Sequence, residues 1–149
     1  MALRTAEEIM NKNVITINRD RNIMELAKLF IKNKISGVPV VDKENTLLGI
    51  VSETDIVNFL KKDNISYKYV YIPLDLYEEA NLENKEALSN TKVEEIMHTW
   101  VKKAKKETTE NEIAAIIGEN KVNRVPIVDD DNKVIGIITR SDLIKSMMK

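Results

Sequence analysis

The chain contains one sequence module twice. Residues 7–62 align without a gap onto residues 94–149, and about a third of the paired residues are identical. The best-preserved stretches are Glu-Glu-Ile-Met, Val-Pro-Val/Ile-Val-Asp and Gly-Ile-Val/Ile-Ser/Thr-x-x-Asp. Such a repeat predicts two similar units that can pack around a pseudo-twofold axis. Any binding site between the repeats is then expected in two related copies.

The spacing of apolar residues predicts a mixed α/β fold, with the order strand, helix, strand, strand, helix in each repeat. Capping-box pairs mark the start of the first helix, and apolar residues follow at helical period. Pro39 and Pro126 are placed at the start of their strands, where a missing N–H is least harmful. The predicted strands are Val14–Ile17, Val38–Val41 and Leu47–Val51, then Val101–Ala104, Val125–Val128 and Val134–Ile138. The capping boxes are Asn22 with Glu25 and Thr109 with Glu112, these helices end at Asn33-Lys34 and Asn120-Lys121, and the closing helices run from Ser52 to about Lys61 and from Thr139 onward.

Three segments are predicted: repeat 1 at residues 1–62, an insertion at 63–93 and repeat 2 at 94–149. The insertion contains all four tyrosines of the chain, Tyr67, Tyr69, Tyr71 and Tyr77, and residues 75–88 are compatible with a helix. One interpretation is a packed linker that covers a face of the core. The other is a lid or a partner-binding segment, because alternating tyrosines make good interface anchors.

The composition restricts the classes of function. The chain has 149 residues, 43% hydrophobic and 32% charged, with a net charge of −1, no cysteine and a single histidine. It therefore has no disulfide framework, thiol nucleophile or histidine cluster. We expect no nucleic-acid partner and no membrane partner, because there is no basic excess and no long apolar run. These features predict a cytoplasmic protein.

The run Gly-apolar-apolar-Ser/Thr-x-x-Asp, at residues 49–55 and 136–142, is the strongest candidate for chemistry. A strand ends there and a helix begins, so free backbone N–H groups and the positive end of the helix dipole lie together. A hydroxyl and a carboxylate at the same edge would suit a ribonucleotide, which offers vicinal hydroxyls and phosphate. The alternative is a plain capping box, in which the same two side chains only cap the helix.

These motifs resemble the cystathionine β-synthase (CBS) domain, here as a tandem pair, also called a Bateman module. The resemblance implies two β-α-β-β-α repeats packed through their sheets about a pseudo-twofold axis. It also implies a homodimer, regulation of an unknown protein, and binding of an adenosine-containing ligand in clefts between the repeats. That ligand would be AMP, ADP or ATP, or alternatively S-adenosylmethionine, and no catalytic cofactor or metal is implied.

The family geometry implies that each cleft takes its Ser or Thr and its Asp from one repeat and its base pocket from the other. Asp would hold the ribose hydroxyls, Ser or Thr would lie near phosphate, and backbone and aliphatic groups would flank the adenine. One cleft would combine Ser52 and Asp55 with Val101, Lys102, Val122, Asn123 and Arg124. The other would combine Thr139, Arg140, Ser141 and Asp142 with Ile15, Ile35, Ser36 and Gly37.

The two clefts are expected to differ in charge. Arg124 stands where the first repeat has Gly37, and a guanidinium suits a phosphate, although an ion pair with the acidic run 129–131 is the alternative. Arg140 replaces Glu53 at the other cleft. The Asp55 cleft is therefore predicted to favour a charged nucleotide. The Asp142 cleft is left open to S-adenosylmethionine, or to being empty.

The leading functional hypothesis is a stand-alone sensor that passes its signal to a separate protein. The alternative is a dimerisation module with vestigial clefts. An enzyme is disfavoured, because no nucleophile–base pair or metal cluster is evident. The acidic run 129–131 could attract a cation, but aspartates are also favoured in a turn between two strands. His98 is expected to be exposed, and Trp100 to cover the core or, alternatively, to pack on the nearby cleft or interface.

Overall fold

The computed structural model of the protein describes residues 4–62 and 86–149. The predictions for the four tyrosines and most of the insertion fall outside these residues. The first repeat shows the predicted order of elements, preceded by one additional turn of helix. Its elements are α1 (Ala6–Ile9), β1 (Ile17–Asn18), α2 (Ile23–Asn33), β2 (Gly37–Val41), β3 (Leu47–Ser52) and α3 (Glu53–Lys62).

The second repeat follows the same plan with a weaker opening strand. Residues 101–103 form no strand, and Ala104 makes an isolated parallel bridge to Ile127. The predicted strand at Val101–Ala104 is therefore wrong, and the one at Val14–Ile17 is shifted. Val14 and Val101 are instead half-buried against a cluster of aliphatic side chains. The elements are α4 (described at 86–90), a 3₁₀ turn (Val93–Glu95), α5 (Glu110–Asn120), β4 (Arg124–Val128), β5 (Val134–Thr139) and α6 (Arg140–Met147).

The strands form a three-stranded sheet in the order β1-β2-β3 and an antiparallel pair β4-β5. Both prolines lie in the middle of their strands, so their predicted place at the strand start is wrong. The carbonyl of Pro126 accepts the Ala104 N–H at 3.0 Å. Because the nitrogen and carbonyl of a strand residue point to the same side, the ring nitrogen faces Ala104 and removes no bond to β5.

The ends of α2 and α5 are set by their capping residues, as predicted. Asn22 accepts the Glu25 N–H at 2.8 Å, and Thr109 with Glu112 forms a full capping box. Both helices stop at a lysine in the left-handed conformation, Lys34 with φ 53° and Lys121 with φ 54°. In the described part of the chain, no helix is long and apolar enough to cross a bilayer.

The chain divides into two compact units that interleave in sequence. Unit 1 comprises Met1–Thr16, Val41–Leu48 and Trp100–Lys149, and unit 2 comprises Ile17–Val40 and Gly49–Thr99. Each unit is built on one repeat and completed by the opening segment of the other repeat.

In unit 1, the opening segment of the first repeat is bound to the second repeat. The N–H of Ala6 donates to the Thr108 carbonyl at 2.7 Å, and the side chain of Ala6 is fully buried. Burial of aliphatic side chains is the main source of stability at about 1.5–3 kcal/mol each. The core around Ala6 contains Ala104, Ile113, Ile117, Val125, Ile127, Ile138 and Leu143.

In unit 2, conversely, the opening segment of the second repeat is bound to the first repeat. Residues 91–98 run beside the first repeat, where Val93 N–H donates to the Arg21 carbonyl at 2.7 Å and Ile23 N–H to the Thr91 carbonyl at 3.0 Å. Val93 is fully buried, like Ile23 on α2. The other buried apolar residues of the unit are Ile17, Leu26, Phe30, Val38, Val40 and Val51.

Within unit 1, the two strand-connecting turns form reciprocal hydrogen bonds. The Asn45 Nδ2–H donates to the Val134 carbonyl at 2.9 Å, and the Asn132 Nδ2–H donates to the Leu47 carbonyl at 3.1 Å. Asn132 and Val134 are the repeat equivalents of Asn45 and Leu47. This exchange of equivalent bonds is the pattern that twofold symmetry produces.

Candidate functional site

Each Gly-to-Asp run crosses a junction from strand to helix. Ser52 is the last residue of β3 and Thr139 is the last residue of β5, so α3 and α6 begin at the next residue. The Asp142 Oδ2 accepts the Thr139 N–H at 3.0 Å, while the Thr139 hydroxyl accepts the Asp142 N–H at 3.1 Å. The capping interpretation of the motif is therefore realised in the second repeat.

The first repeat uses the same pair differently. Asp55 Oδ2 accepts both the N–H of Ser52, at 2.8 Å, and its hydroxyl, at 3.2 Å. Asp55 is buried, with 8% of its surface exposed, while Asp142 is half-buried. Burial of a carboxylate requires compensating donors.

The second oxygen of Asp55 has a partner that the sequence did not reveal. The Nε2–H of His98 donates to Asp55 Oδ1 at 2.6 Å, although 66% of the His98 side chain is exposed. His98 is exposed as predicted, but its contact with Asp55 was missed. The two residues are 43 positions apart, and no local pattern joins them.

The backbone of residues 97–98 is held against β3. Ile50 and His98 exchange two backbone hydrogen bonds of 2.9 Å each. The close approach depends on Gly49, because a Cβ there would lie 2.6 Å from the His98 carbonyl oxygen and 2.8 Å from the Met97 sulfur. Gly49 thus allows the backbone of Met97 and His98 to lie against β3.

Unit 1 repeats this arrangement with one difference. Asn11 and Ile137 exchange backbone hydrogen bonds of 2.9 and 3.1 Å, and a Cβ on Gly136 would clash with the Met10 side chain. Asn11 occupies the position equivalent to His98, but its side chain accepts the N–H of Asn13 at 2.9 Å. Among the described residues, Thr139 is the only hydrogen-bond partner of the Asp142 carboxylate.

Asp142 also faces open space. It lines a cavity of about 340 Å³ in unit 1 together with three cationic side chains. The Arg4 guanidinium caps the end of α6 by donating to the carbonyls of Ser146 and Lys149. The other two cationic side chains are Lys145 and Lys149, and the remaining lining residues are Glu8 and Ile9.

The loops before β2 and β4 meet the helix starts. Glu53 N–H donates to the Ser36 carbonyl at 2.9 Å in unit 2, and Arg140 N–H donates to the Asn123 carbonyl at 3.0 Å in unit 1. The guanidinium of Arg140 also donates to the Val122 carbonyl at 3.1 Å. The loop residues thus lie at the strand–helix junction of their own unit.

The other predicted site residues are placed as follows. Arg124 is half-buried and pairs with Thr139 in the β4–β5 register. Lys102 and Ser141 are exposed, Ile15, Ile35 and Val101 are half-buried, and Gly37 begins β2. The combination of these residues across the two repeats stays a prediction.

Two other sequence interpretations can be compared with the structure. Asp129 Oδ1 accepts the N–H groups of Asp131 and Lys133 at 2.9 Å each, so it serves the turn. The described residues contain no group of three potential metal ligands. The predicted core-covering role of Trp100 is wrong, because 96% of its surface is exposed. Residues 100–103 form no strand that would direct the indole inward.

Sequence comparison finds the CBS domain twice, at residues 6–62 and 93–149. The uncharacterized protein MJ1426 of Methanocaldococcus jannaschii is 36% identical over 152 residues, covering 95% of this chain and 90% of that protein. Inosine-5'-monophosphate dehydrogenase of the same organism is 33% identical over 144 residues, covering 97% of this chain and 24% of that enzyme. The chain thus spans about a quarter of the length of this enzyme.

Solved structures of CBS domain pairs have the same fold. The CBS domain pair of protein MJ0100, in complex with 5'-methylthioadenosine and S-adenosyl-L-methionine, has a TM-score of 0.76 at 26% identity, covering 99% of this chain and 98% of that one. CBSX2 from Arabidopsis thaliana has a TM-score of 0.79 at 21% identity, covering 99% and 96% of the two chains, a likeness of fold alone. The repeats, the paired motifs and these matches show that the chain belongs to the CBS domain family, as a tandem pair.

Proposed function

We propose that this chain is a regulatory module that binds an adenosine-containing ligand at Asp55 and at Asp142. The observation that carries the proposal is the geometry of the two carboxylates. Each is held at the first turn of a helix by hydrogen bonds from a strand-end Ser or Thr. A ribose can donate its vicinal hydroxyls to such a carboxylate, while phosphate is favoured by the positive end of the dipole at the helix start.

The rest of each site is proposed from the family resemblance. The base would lie between aliphatic and backbone groups of the other repeat, and Arg124 would bind phosphate. For Asp55 with Ser52, these groups are Val101, Lys102, Val122, Asn123 and Arg124. For Asp142 with Thr139, Arg140 and Ser141, they are Ile15, Ile35, Ser36 and Gly37.

The ligand class has two candidates. An adenine nucleotide (AMP, ADP or ATP) fits a site that contains Arg124, because a guanidinium binds phosphate through two parallel hydrogen bonds. S-adenosylmethionine is supported by the MJ0100 CBS pair, whose structure contains it together with 5'-methylthioadenosine. We propose the nucleotide for the Asp55 site and leave S-adenosylmethionine as the alternative at Asp142.

The output is proposed to be regulation of a separate protein in the cytoplasm, and not catalysis. The dehydrogenase relative is much longer than the region that matches this chain.

A homodimer is also proposed, because α3 exposes Val57 by 58% and α6 exposes the equivalent Ile144 by 61%. Analytical ultracentrifugation of the full chain, with and without AMP, tests the dimer directly.

Isothermal titration calorimetry tests the ligand hypothesis. AMP, ADP, ATP and S-adenosylmethionine are each titrated into the full chain. The double variant Asp55→Asn, Asp142→Asn is expected to lose binding by at least about tenfold at each site, equivalent to about 1.4 kcal/mol. Asparagine keeps one oxygen as a cap, so the loss reports on the ligand and not on the helix start.

The control is Asp131→Asn, which makes the same aspartate-to-asparagine change at an exposed turn residue. It is expected to bind as the wild type does. The proposal would be abandoned if none of the four compounds gave heat, or if the double variant bound as tightly as the wild type.

A dimerisation module with vestigial clefts is the second candidate. It is favoured by the capping bonds, which give both carboxylates a structural role without any ligand. It predicts an unchanged dimer and no heat with any of the four compounds.

A further inference from the structure

His98 distinguishes two otherwise equivalent carboxylates. Asp55 Oδ2 is occupied by Ser52, and Oδ1 is occupied by the His98 Nε2–H at 2.6 Å. A ribose hydroxyl that donates to Oδ1 therefore has to replace the imidazole. At Asp142, no described residue takes the place of the imidazole.

The difference comes from one side chain and not from the backbone. The segments that carry His98 and Asn11 make the same pair of backbone bonds, to Ile50 and Ile137 respectively. Asn11 turns its side chain to the N–H of Asn13 instead. The residue at this position of the repeat therefore determines whether the carboxylate is covered. His98 covers Asp55, whereas Asn11 leaves Asp142 open.

His98 is also the partner that can move. Its side chain is 66% exposed, whereas Asp55 is 8% exposed. Rotation of the imidazole into solvent breaks one hydrogen bond and leaves the backbone pairing with Ile50 in place. The imidazole remains hydrated, and the carboxylate needs a new donor because an unpaired buried charge is costly.

We propose that His98 is a displaceable cover of the Asp55 carboxylate, which makes ligand binding at Asp55 weaker than it would be with that carboxylate open. This inference rests on the proposed function, since the displacing group is the ribose diol of an adenosine ligand. A hydroxyl of that diol takes over the donor position of Nε2–H, and the imidazole turns outward.

Calorimetry with AMP tests the affinities, and Asp55→Asn and Asp142→Asn assign the two binding steps. Each of these variants is expected to weaken one of the two binding steps of the wild type. His98→Asn, which introduces the residue of the other repeat, is expected to tighten the Asp55 step by at least about tenfold. His98→Gln is the matched control, because its Nε2–H can donate to Asp55 as the imidazole does, and it is expected to retain the wild-type affinity at Asp55.

The reciprocal variant Asn11→His is expected to weaken the Asp142 step. Unchanged or weaker binding at Asp55 in His98→Asn would overturn the proposed cover, while leaving the function in place if the wild type binds AMP. Absence of binding in the wild type and in His98→Asn, with S-adenosylmethionine as well as AMP, would overturn the proposed function and the cover together.

Nuclear magnetic resonance tests the contact between His98 and Asp55 directly, first without ligand and then with AMP. The chain has one histidine, so the His98 ring protons give a single set of signals. Asp55→Asn is expected to shift these signals and Asp142→Asn to leave them in place. AMP is expected to shift them in the wild type at the concentrations that fill the Asp55 site. Ring-proton signals that do not shift in Asp55→Asn would show that the contact does not exist in solution and would overturn the inference.

Discussion

At the scale of single residues, Gly49 and Gly136 allow Met97 and Met10 to lie close to β3 and β5. A Cβ on Gly49 would lie 2.6 Å from a backbone oxygen, which cannot move as a flexible side chain can. By contrast, a Cβ on Gly118, inside α5, would have no neighbour within 4 Å. A glycine is therefore required at residue 49, whereas at residue 118, inside a helix, glycine is unfavourable.

Gly49→Ala is expected to lower the free energy of unfolding by about 1–3 kcal/mol, because backbone or side chains must shift to admit the methyl group. Gly118→Ala is the matched control, and it is expected to raise the free energy by about 0.5–1 kcal/mol through helix propensity. Urea unfolding followed by circular dichroism measures both. Equal effects of the two substitutions would contradict the role given to Gly49.

The sequence predicted much of the local chemistry of the site. The spacing of Thr139 and Asp142 identified both a capping pair and a ligand candidate, and the structure contains the cap. The contact between Asp55 and His98 was not predictable, because it depends on how residues 97–98 pair with β3. Local spacing reports on neighbours within one element and carries no information on such pairings.

At the scale of elements, the turn between β2 and β3 is held by one carboxylate. Asp42 Oδ1 accepts the N–H groups of Glu44 and Thr46 at 2.9 Å each. The Thr46 N–H is the main cause that holds the pKa of Asp42 below its ordinary value of 3.8. Because the folded pKa is the lower one, the ionised carboxylate stabilises the fold above the unfolded pKa, and this contribution is lost as pH falls through the folded value.

Asp42→Asn is expected to be less stable than the wild type near neutral pH. The difference in unfolding free energy should shrink as the pH falls below about 4, because the wild-type carboxyl then becomes protonated. Urea unfolding at a series of pH values measures it. A difference that stays constant from neutral to acid pH would contradict the assignment.

The ends of α2 and α5 provide a second element-scale prediction. Lys34 and Lys121 adopt the left-handed conformation that favours glycine. Lys121→Gly is expected to raise the free energy of unfolding by about 0.5–1 kcal/mol, since the left-handed strain of a side chain outweighs the extra entropy of unfolded glycine. Lys28→Gly, inside α2 and exposed, is the control and is expected to cost about 1 kcal/mol. Chemical denaturation in which Lys121→Gly is also destabilised would refute this.

Element types were predicted better than element positions. Capping residues and helical periods located α2 and α5 because these signals are local. The opening strands were misplaced because Val14 and Val101 bury their side chains by packing against a cluster and not by joining a ladder. Pro126 was misplaced because its nitrogen faces the single bridge at Ala104, a neighbour that the sequence does not identify.

At the scale of the whole molecule, the repeats and the compact units do not coincide. β2 and β3 each contribute residues to both units, and each unit contains the opening segment of the other repeat. The duplication was visible in the sequence. The exchange of opening segments was not, because similar repeats can bind their own segments or each other's.

This interleaving predicts one cooperative unfolding transition. Leu26→Ala in unit 2 and Ile113→Ala in unit 1 remove fully buried side chains and are each expected to cost about 2–5 kcal/mol. Both should lower the midpoint of the same calorimetric transition. Two separate transitions, each sensitive to one substitution, would contradict the prediction.

The exchanged opening segments also bear on why the module is covalently doubled. A chain with a single copy would have to lend its first residues to a second molecule and receive that molecule's residues in return, as in domain swapping. Its folding would then depend on protein concentration. Joining both copies in one polypeptide makes the exchange intramolecular, so a lone molecule can complete both cores at any dilution.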